Sequence, residues 1–168
     1  MDDGLGKDAE SKIKVWLNKP EEGYCFYRIK DHMTGFYGSD NPCDFIVYRY
    51  PYQCFLESKA TWKDRFDLSM VTQNQRKGLL SYSEINGVYG VVAVLFASSQ
   101  RMFIFNASDL FMLDQYGEPV LKNEKIKSFN IKKIDKWSVP YKEVATIPSR
   151  KKLLDYTGDL FDLLKEIN

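Results

Sequence analysis

Three charged residues in the first half of the chain have a spacing that could place them on one face of a β-hairpin. The runs 44–48 and 53–59 are both strand-like, and the short link between them makes a hairpin the simplest connection. Side chains alternate between the two faces of a strand, so Glu57 and Lys59 would point the same way. A link with an even number of residues would then set Asp44 directly opposite Glu57.

Two carboxylates beside a lysine are suited to phosphodiester hydrolysis. The carboxylates can share Mg²⁺, which neutralises charge on a phosphate and acidifies a bound water, while the lysine orients that water and stabilises developing charge. The alternative is an ion pair on a solvated sheet face. The tripeptide alone is not diagnostic, because Glu10-Ser11-Lys12 repeats it on a predicted helix. The strand context and the upstream Asp44 favour the copy at Glu57 and Lys59.

The histidine and cysteine content argues against several other kinds of site. His32 is the single histidine, so it would have to serve any mechanism that pairs histidine with serine, cysteine or zinc, and it lies in a segment typical of a solvated loop. Cys25, Cys43 and Cys54 are odd in number and lack Cys-x-x-Cys spacing. We therefore expect reduced, mostly buried cysteines and neither a disulfide framework nor a zinc site.

Length and composition indicate an ordinary packed domain. A chain of 168 residues with 44% hydrophobic residues can form a core without disulfides or a structural metal. No run approaches the roughly 20 apolar residues of a spanning helix, and the first residues do not resemble a signal peptide, so we expect a cytoplasmic protein without membrane contact. The formal charge of +1 gives no support for DNA binding. Basic residues are concentrated in 122–152, where a solvated surface and a phosphate-contacting face are equally consistent with the pattern.

Hydrophobic periodicity predicts the elements that would carry the three charged residues. We expect a helix over 5–17, strands over 24–29, 43–48 and 53–59, a helix over about 70–84, and strands over 88–96 and 102–105. Ser108 would cap a short helix through Leu113. A last helix would carry one apolar stripe, formed by Leu153, Tyr156, Leu160, Leu163 and Ile167. The predicted fold class is α/β, with one domain over 1–168 and a central mixed sheet flanked by helices.

Several other residues near the predicted site have two interpretations. Gln75 could lie near a metal, or it could complete a helix capping box with Thr72. The nearby basic residues could contact DNA phosphates, or they could be solvated partners of Asp64 and Asp67; they are Lys63, Arg65, Arg76 and Lys77. The three tryptophans are expected to pack in the core rather than stack on bases; they are Trp16, Trp62 and Trp137.

The order of these elements and motifs resembles the PD-(D/E)xK nuclease fold, which is restriction-endonuclease-like. Residues 44–111 resemble the RecU-type Holliday junction resolvases. By this resemblance the motif residues are Asp44, Glu57, Lys59 and Gln75, and 91–95 is the central strand. Residues 108–111 are similar to the start of the family's acidic and apolar helix. Glu10 occupies the place of its first-helix glutamate.

The resemblance implies an Mg²⁺-dependent (or Mn²⁺-dependent) endonuclease that acts in DNA recombination and repair. It implies a homodimer that nicks two strands of a four-way junction symmetrically, with Asp44, Glu57 and Ser58 as metal ligands and Glu10 and Gln75 as further catalytic residues. Its partner would be branched or duplex DNA. The family carries a long excursion before the motif aspartate, and only 30–43 lies there in this chain. Another PD-(D/E)xK nuclease, of flap, duplex or restriction type, and a non-catalytic DNA-binding protein that kept the fold remain the alternatives.

A homodimer would need an interface, and aromatic residues near the predicted hairpin are candidates for it. They are Phe26, Phe36, Tyr37 and the hairpin tip Tyr48-Arg49-Tyr50.

Overall fold

A mixed β-sheet with helices on both faces forms the centre of the molecule. The computed structural model describes residues 3–18, 21–29, 41–146 and 155–167. The helices are α1 (Asp3–Leu17), α2 (Gln73–Ser83), α3 (Ala107–Leu110) and α4 (Leu160–Ile167). The strands are β1 (Tyr24–Arg28), β2 (Phe45–Arg49), β3 (Tyr52–Thr61), β4 (Arg65–Asp67), β5 (Val88–Phe96), β6 (Arg101–Asn106), β7 (Phe111–Leu113), β8 (Pro119–Leu121), β9 (Ser128–Asn130), β10 (Lys142–Thr146) and β11 (Asp155–Tyr156). The predicted α/β class with a central mixed sheet is confirmed.

Seven strands form this sheet, in the order β1-β2-β3-β5-β6-β10-β11. Strands β1, β2 and β3 pair antiparallel, β3 and β5 pair parallel, and the remaining pairs are antiparallel. The parallel pair requires a crossover, and α2 lies on it between β3 and β5. Two further two-stranded sheets, β4-β9 and β7-β8, flank the main one. Strand β3 is thus an interior strand with neighbours on both sides.

The two faces of the sheet carry separate hydrophobic clusters. On one face α1 and α4 pack against inward side chains of the strands; these include Ala9, Ile13, Phe45, Leu56 and Phe161. On the other face α2, α3 and the small sheets pack against the alternate side chains; these include Phe66, Leu79, Val92, Val94 and Phe105. We call these the α1 face and the α2 face. By strand alternation, Asp44, Glu57 and Lys59 belong to the α2 face.

The long elements agree with the sequence prediction, and the short ones do not. Strands β4 and β7 to β11 were not expected; five of these six have only two or three residues, which is too few alternations to show a period. Ser108 does not cap a helix: Asn106 stands at the cap position of α3, and Phe111–Leu113 is a strand.

The last helix is shorter than predicted, because its apolar stripe is divided between two elements. It begins at Leu160, and Tyr156 lies in β11, where its ring stacks on Trp16 and its hydroxyl donates to the Lys12 carbonyl at 2.6 Å. Leu153 lies outside the described residues.

Two of the three tryptophans pack in the core, and the prediction for the third is wrong. Trp16 is buried and its indole NH donates to the Gly158 carbonyl at 2.8 Å, and Trp137 lies within an aromatic cluster. Trp62 is 63% exposed, because β3 ends one residue earlier.

The cysteines are mostly buried, as predicted. Cys43 and Cys54 are buried and reduced, and Cys25 is exposed. No helix among the described residues is long and apolar enough to cross a membrane. His32, Phe36 and Tyr37 lie outside those residues.

Helix α2 approaches its neighbours closely at two glycines. A Cβ atom at Gly90 of β5 would lie 2.3 Å from the Leu79 carbonyl oxygen, and one at Gly78 would lie 2.5 Å from Cβ of Pro42. The Ser83 hydroxyl completes the contact with β5, since it accepts from the Gly90 amide at 3.0 Å and donates to the Leu79 carbonyl at 2.8 Å. These contacts seat α2 on the face of the sheet to which Asp44 and Glu57 belong.

Substitution Gly90→Ala should lower the free energy of unfolding by about 3 kcal/mol, because the new methyl group meets backbone that cannot yield without moving α2. The control is Gly6→Ala, an exposed site in α1 with nothing within 4 Å of the added atom, which should raise stability by about 0.5–1 kcal/mol. Urea unfolding followed by circular dichroism measures both. Equal stability of Gly90→Ala and the parent would contradict the close packing of α2 on β5.

Candidate active site

The pairing of β2 with β3 brings Asp44 next to Glu57. The last pair of the ladder is Phe45 with Leu56, and the same register continued by one step places Asp44 beside Glu57. The Asp44 amide donates to the Leu56 carbonyl at 3.0 Å, and Asp44 Oδ2 accepts from the Ser58 amide at 2.7 Å. These bonds fix the aspartate against β3 in the arrangement that the hairpin pattern predicts.

The carboxyl group of Glu57 is almost completely buried, with 2% of the residue exposed. Its Oε1 atom forms an ion pair with Lys59 Nζ at 2.7 Å and accepts a hydrogen bond from Gln75 Nε2, also at 2.7 Å. Its Oε2 atom is buried and has no hydrogen-bond partner among the described residues. Burial, and then the negative charge of Asp44, raises the pKa of Glu57 to about 8, although Lys59 acts in the opposite direction. The carboxyl pair therefore lies where additional positive charge would stabilise it.

Gln75 satisfies both interpretations of the sequence at once. Its backbone amide donates to the Thr72 hydroxyl at 3.3 Å, and its Oε1 accepts from the Thr72 amide at 3.0 Å, which completes the capping box of α2. The same side chain uses its Nε2 to bind Glu57. The start of α2 and the buried carboxylate are thus joined through one amide group.

Glu10 and Ser58 are near the carboxyl pair but are oriented differently from it. Glu10 on α1 pairs with Arg28, whose Nε donates to Glu10 Oε2 at 2.5 Å, and after burial and Asp44 it is a further cause of the raised pKa of Glu57. The regular pairing of β3 with β5 directs the Ser58 hydroxyl to the α1 face, away from the carboxylates. Only the main chain of Ser58 is therefore available beside them.

The donor set fits a hard divalent cation that retains water. No group of three histidine, cysteine or acidic side chains that could hold a metal occurs in 3–18, 21–29, 41–146 or 155–167. Two carboxylates, one of them with a buried oxygen that no described residue contacts by a hydrogen bond, are instead the kind of partial shell that Mg²⁺ accepts, because that ion keeps several waters. Asp44 and Glu57 could hold such an ion.

The basic residues proposed for phosphate contact differ in their surroundings. Lys63 is exposed after β3, Arg65 is exposed but pairs with Asp67 at 2.9 Å, and Lys77 pairs with Glu118 at 3.3 Å. Arg76 differs from them: its Nε and Nη2 atoms donate to the carbonyls of Val71 and Leu68 at 2.8 and 3.0 Å, and its guanidinium lies over the Phe111 ring. The contacts of Arg76 are those of a residue that fixes the start of α2.

Cys43 is a neighbour of the carboxyl pair that sequence analysis did not place there. Burial, and then the charges of Glu57 and Asp44, raises the pKa of its thiol to about 12, so it stays protonated. Its position directly before the motif aspartate was the only signal in the sequence.

Comparisons with known proteins give a family assignment. A solved structure of Hjc, a Holliday junction resolvase from the archaeal hyperthermophile Archaeoglobus fulgidus, is similar with 17% sequence identity and a TM-score of 0.46, over 70% of this chain and 88% of that chain. No curated protein sequence matches the chain. The family described as RecU, Recombination protein U, matches residues 24–157, which include Asp44, Glu57, Lys59 and Gln75. The chain therefore belongs to the RecU family.

Proposed function

We propose that the protein is a divalent-metal-dependent DNA endonuclease of the Holliday junction resolvase type. One observation carries this proposal: Glu57 is buried beside Asp44, with Oε1 held by Lys59 and Gln75 and with Oε2 lacking a partner in the part of the chain that the structure describes. Membership of the RecU family supports the same chemistry and supplies branched DNA as the substrate class.

The roles of the residues follow from their contacts. Asp44 and Glu57 would hold Mg²⁺ or Mn²⁺, together with the main-chain oxygen of Ser58. When bound, the ion would neutralise charge on the scissile phosphate and acidify a coordinated water. Lys59 keeps its ammonium group beside the carboxyl pair, where it can stabilise charge that develops on the phosphate. Gln75 orients Glu57 through Oε1 and so leaves Oε2 available.

Two alternatives predict different behaviour. A non-catalytic DNA-binding protein would have no use for a buried ionisable pair, since replacing such a pair with apolar residues commonly leaves stability unchanged or raises it. The intact Asp44, Glu57 and Lys59 therefore favour an enzyme. A nuclease for flaps or linear duplex would share the same residues, so only a comparison of substrates separates it from a resolvase.

With Mg²⁺ present, the protein should introduce paired symmetric nicks in a four-way junction faster than it cuts a flap or a linear duplex. Asp44→Asn and Glu57→Gln should lower the cleavage rate by more than about 100-fold, because changes in outer-shell partners of a metal already cost about 10- to 100-fold. Both variants should still bind the junction in a gel-shift assay without metal.

Glu118→Gln is the matched control, since it removes an exposed carboxylate whose ion-pair partner among the described residues is Lys77, and it should cleave like the parent. Full activity of Asp44→Asn and Glu57→Gln would refute the assignment of the site. If the parent cut flaps or linear duplex faster than the junction, the protein would still be a nuclease but would not be a resolvase.

We propose further that the active species is a homodimer. Symmetric nicking requires two sites related by a twofold axis, and each chain has one. Two of the earlier interface candidates face inward: Phe26 packs against the α1-face cluster, and Arg49 binds Asp159 and Asp162 at 2.8 Å. Both are therefore removed from the expected interface.

Exposed tyrosines on β1 and β2 remain as interface material. Tyr27 and Tyr48 are exposed and lie on the α2 face, the face of Asp44, and Tyr50 is exposed at the hairpin tip. Aromatic residues on a solvent-facing sheet surface are typical of protein interfaces. A contact here would bring two active sites together on one side of the dimer.

Light scattering at micromolar concentration should give twice the chain mass of 19.6 kDa. The double variant Tyr27→Glu with Tyr48→Glu should give the monomer mass, because it would bury like charges at a twofold interface. Tyr116→Glu changes an exposed tyrosine in the turn between β7 and β8 and should remain dimeric. A monomeric parent that resolves junctions would contradict the proposed dimer.

A further inference from the structure

Trp62 is an exposed aromatic side chain in the turn that follows β3, the strand that carries Glu57 and Lys59. It follows the last residue of β3 directly and is 63% exposed, whereas Trp16 is buried and Trp137 is partly buried within an aromatic cluster. Lys59 lies three residues earlier on the same strand. At about 3.3 Å a residue, the Cα atoms of these two residues are separated by roughly 10 Å.

The turn that presents Trp62 is held by hydrogen bonds on both sides. The Thr61 hydroxyl accepts from the Lys63 amide at 3.1 Å and donates to the Arg65 carbonyl at 3.3 Å. The Asp64 carbonyl accepts from the Ile131 amide at 2.7 Å. Because the turn is already ordered, binding through this side chain costs little backbone entropy, and more of the contact energy contributes to affinity.

The surface around Trp62 is basic on balance. Lys63 and Arg65 belong to the turn, and the neighbouring segment Ile131–Lys136 adds exposed lysines at 132, 133 and 136. Lys132 forms an ion pair with Asp64 at 2.5 Å, and this pair joins the segment to the turn. The cores of protein interfaces are depleted in charged residues, whereas an aromatic side chain among basic ones is the usual arrangement for binding single-stranded nucleic acid. The charge therefore favours a polyanion over a second copy of the chain.

We propose that Trp62 stacks on an unpaired nucleobase of the DNA substrate. This inference rests on the proposed nuclease function and extends it to substrate recognition. Bases at a branch point or in a single-stranded segment cost less to unstack than bases inside a duplex, so a stacking residue here would favour branched over linear DNA. The basic side chains around the turn would hold the adjoining phosphates.

Tryptophan fluorescence in EDTA tests the contact without cleavage. Oligothymidylate and a four-way junction should both quench the emission of the parent, because the exposed indole is the one that a base can reach. Trp62→Phe should lose the quenching and keep most of the affinity, since its ring still stacks. Trp62→Ala should bind about 10-fold more weakly, and Tyr116→Ala, which removes an exposed ring elsewhere, should bind like the parent.

Saturating DNA that leaves the emission of the parent unchanged would overturn the inference, as would equal affinity of Trp62→Ala and the parent. If Trp62→Ala changed the oligomer mass and DNA did not quench the parent, Trp62 would belong to a protein interface. That result would also overturn the inference. Failure of this contact is distinguishable from failure of the proposed function: cleavage with Mg²⁺ would then persist without quenching. Absence of any DNA binding would refute both.

Discussion

The carboxyl group of Glu57 is buried in an interior strand, and its burial constrains the elements around it. A charged oxygen away from water is costly unless other groups hydrogen-bond to it. Lys59 and Gln75 meet this requirement for Oε1 from two directions, one along β3 and one from α2. The second oxygen lacks such a partner among the described residues and lies beside another acid, Asp44. Contacts with the protein thus compensate the burial of one carboxyl oxygen of Glu57, and a bound cation would compensate the burial of the other.

This requirement determines how closely α2 must pack. The Gln75 side chain reaches Glu57 only because α2 lies directly on β5, where a glycine at position 90 leaves room for the Leu79 carbonyl. The capping box then uses the remaining oxygen of the Gln75 amide, so the helix start and the site are positioned by the same group. Strand β3 continues past Lys59 into the ordered turn that exposes Trp62. The carboxyl pair, the start of α2 and the turn at Trp62 are therefore all connected to β3.

The sequence was sufficient for the part of the fold that builds the site. The long strands and the first two helices have enough residues to show their periods, and an even hairpin link gave the register of Asp44 and Glu57. The three-residue strands and the division of the last apolar stripe depend on tertiary contacts that no local period reveals. The dual role of Gln75 and the exposure of Trp62 were likewise missed, because each depends on where a neighbouring element ends. Composition alone could not separate a buried tryptophan from an exposed one.

The role of Asp44 and Glu57 as a metal site can be tested by the binding of Mn²⁺ to the EDTA-treated protein. Titration calorimetry measures the binding, and thermal unfolding is followed in parallel. The parent should bind the ion, and its Tm should rise by several degrees, because about 100-fold excess over Kd adds about 2.7 kcal/mol of stability. Asp44→Asn should lose the heat of binding and the shift in Tm, while Glu118→Gln should keep both. Absence of binding in the parent, or equal binding by Asp44→Asn, would contradict the assignment of the carboxyl pair as a metal site.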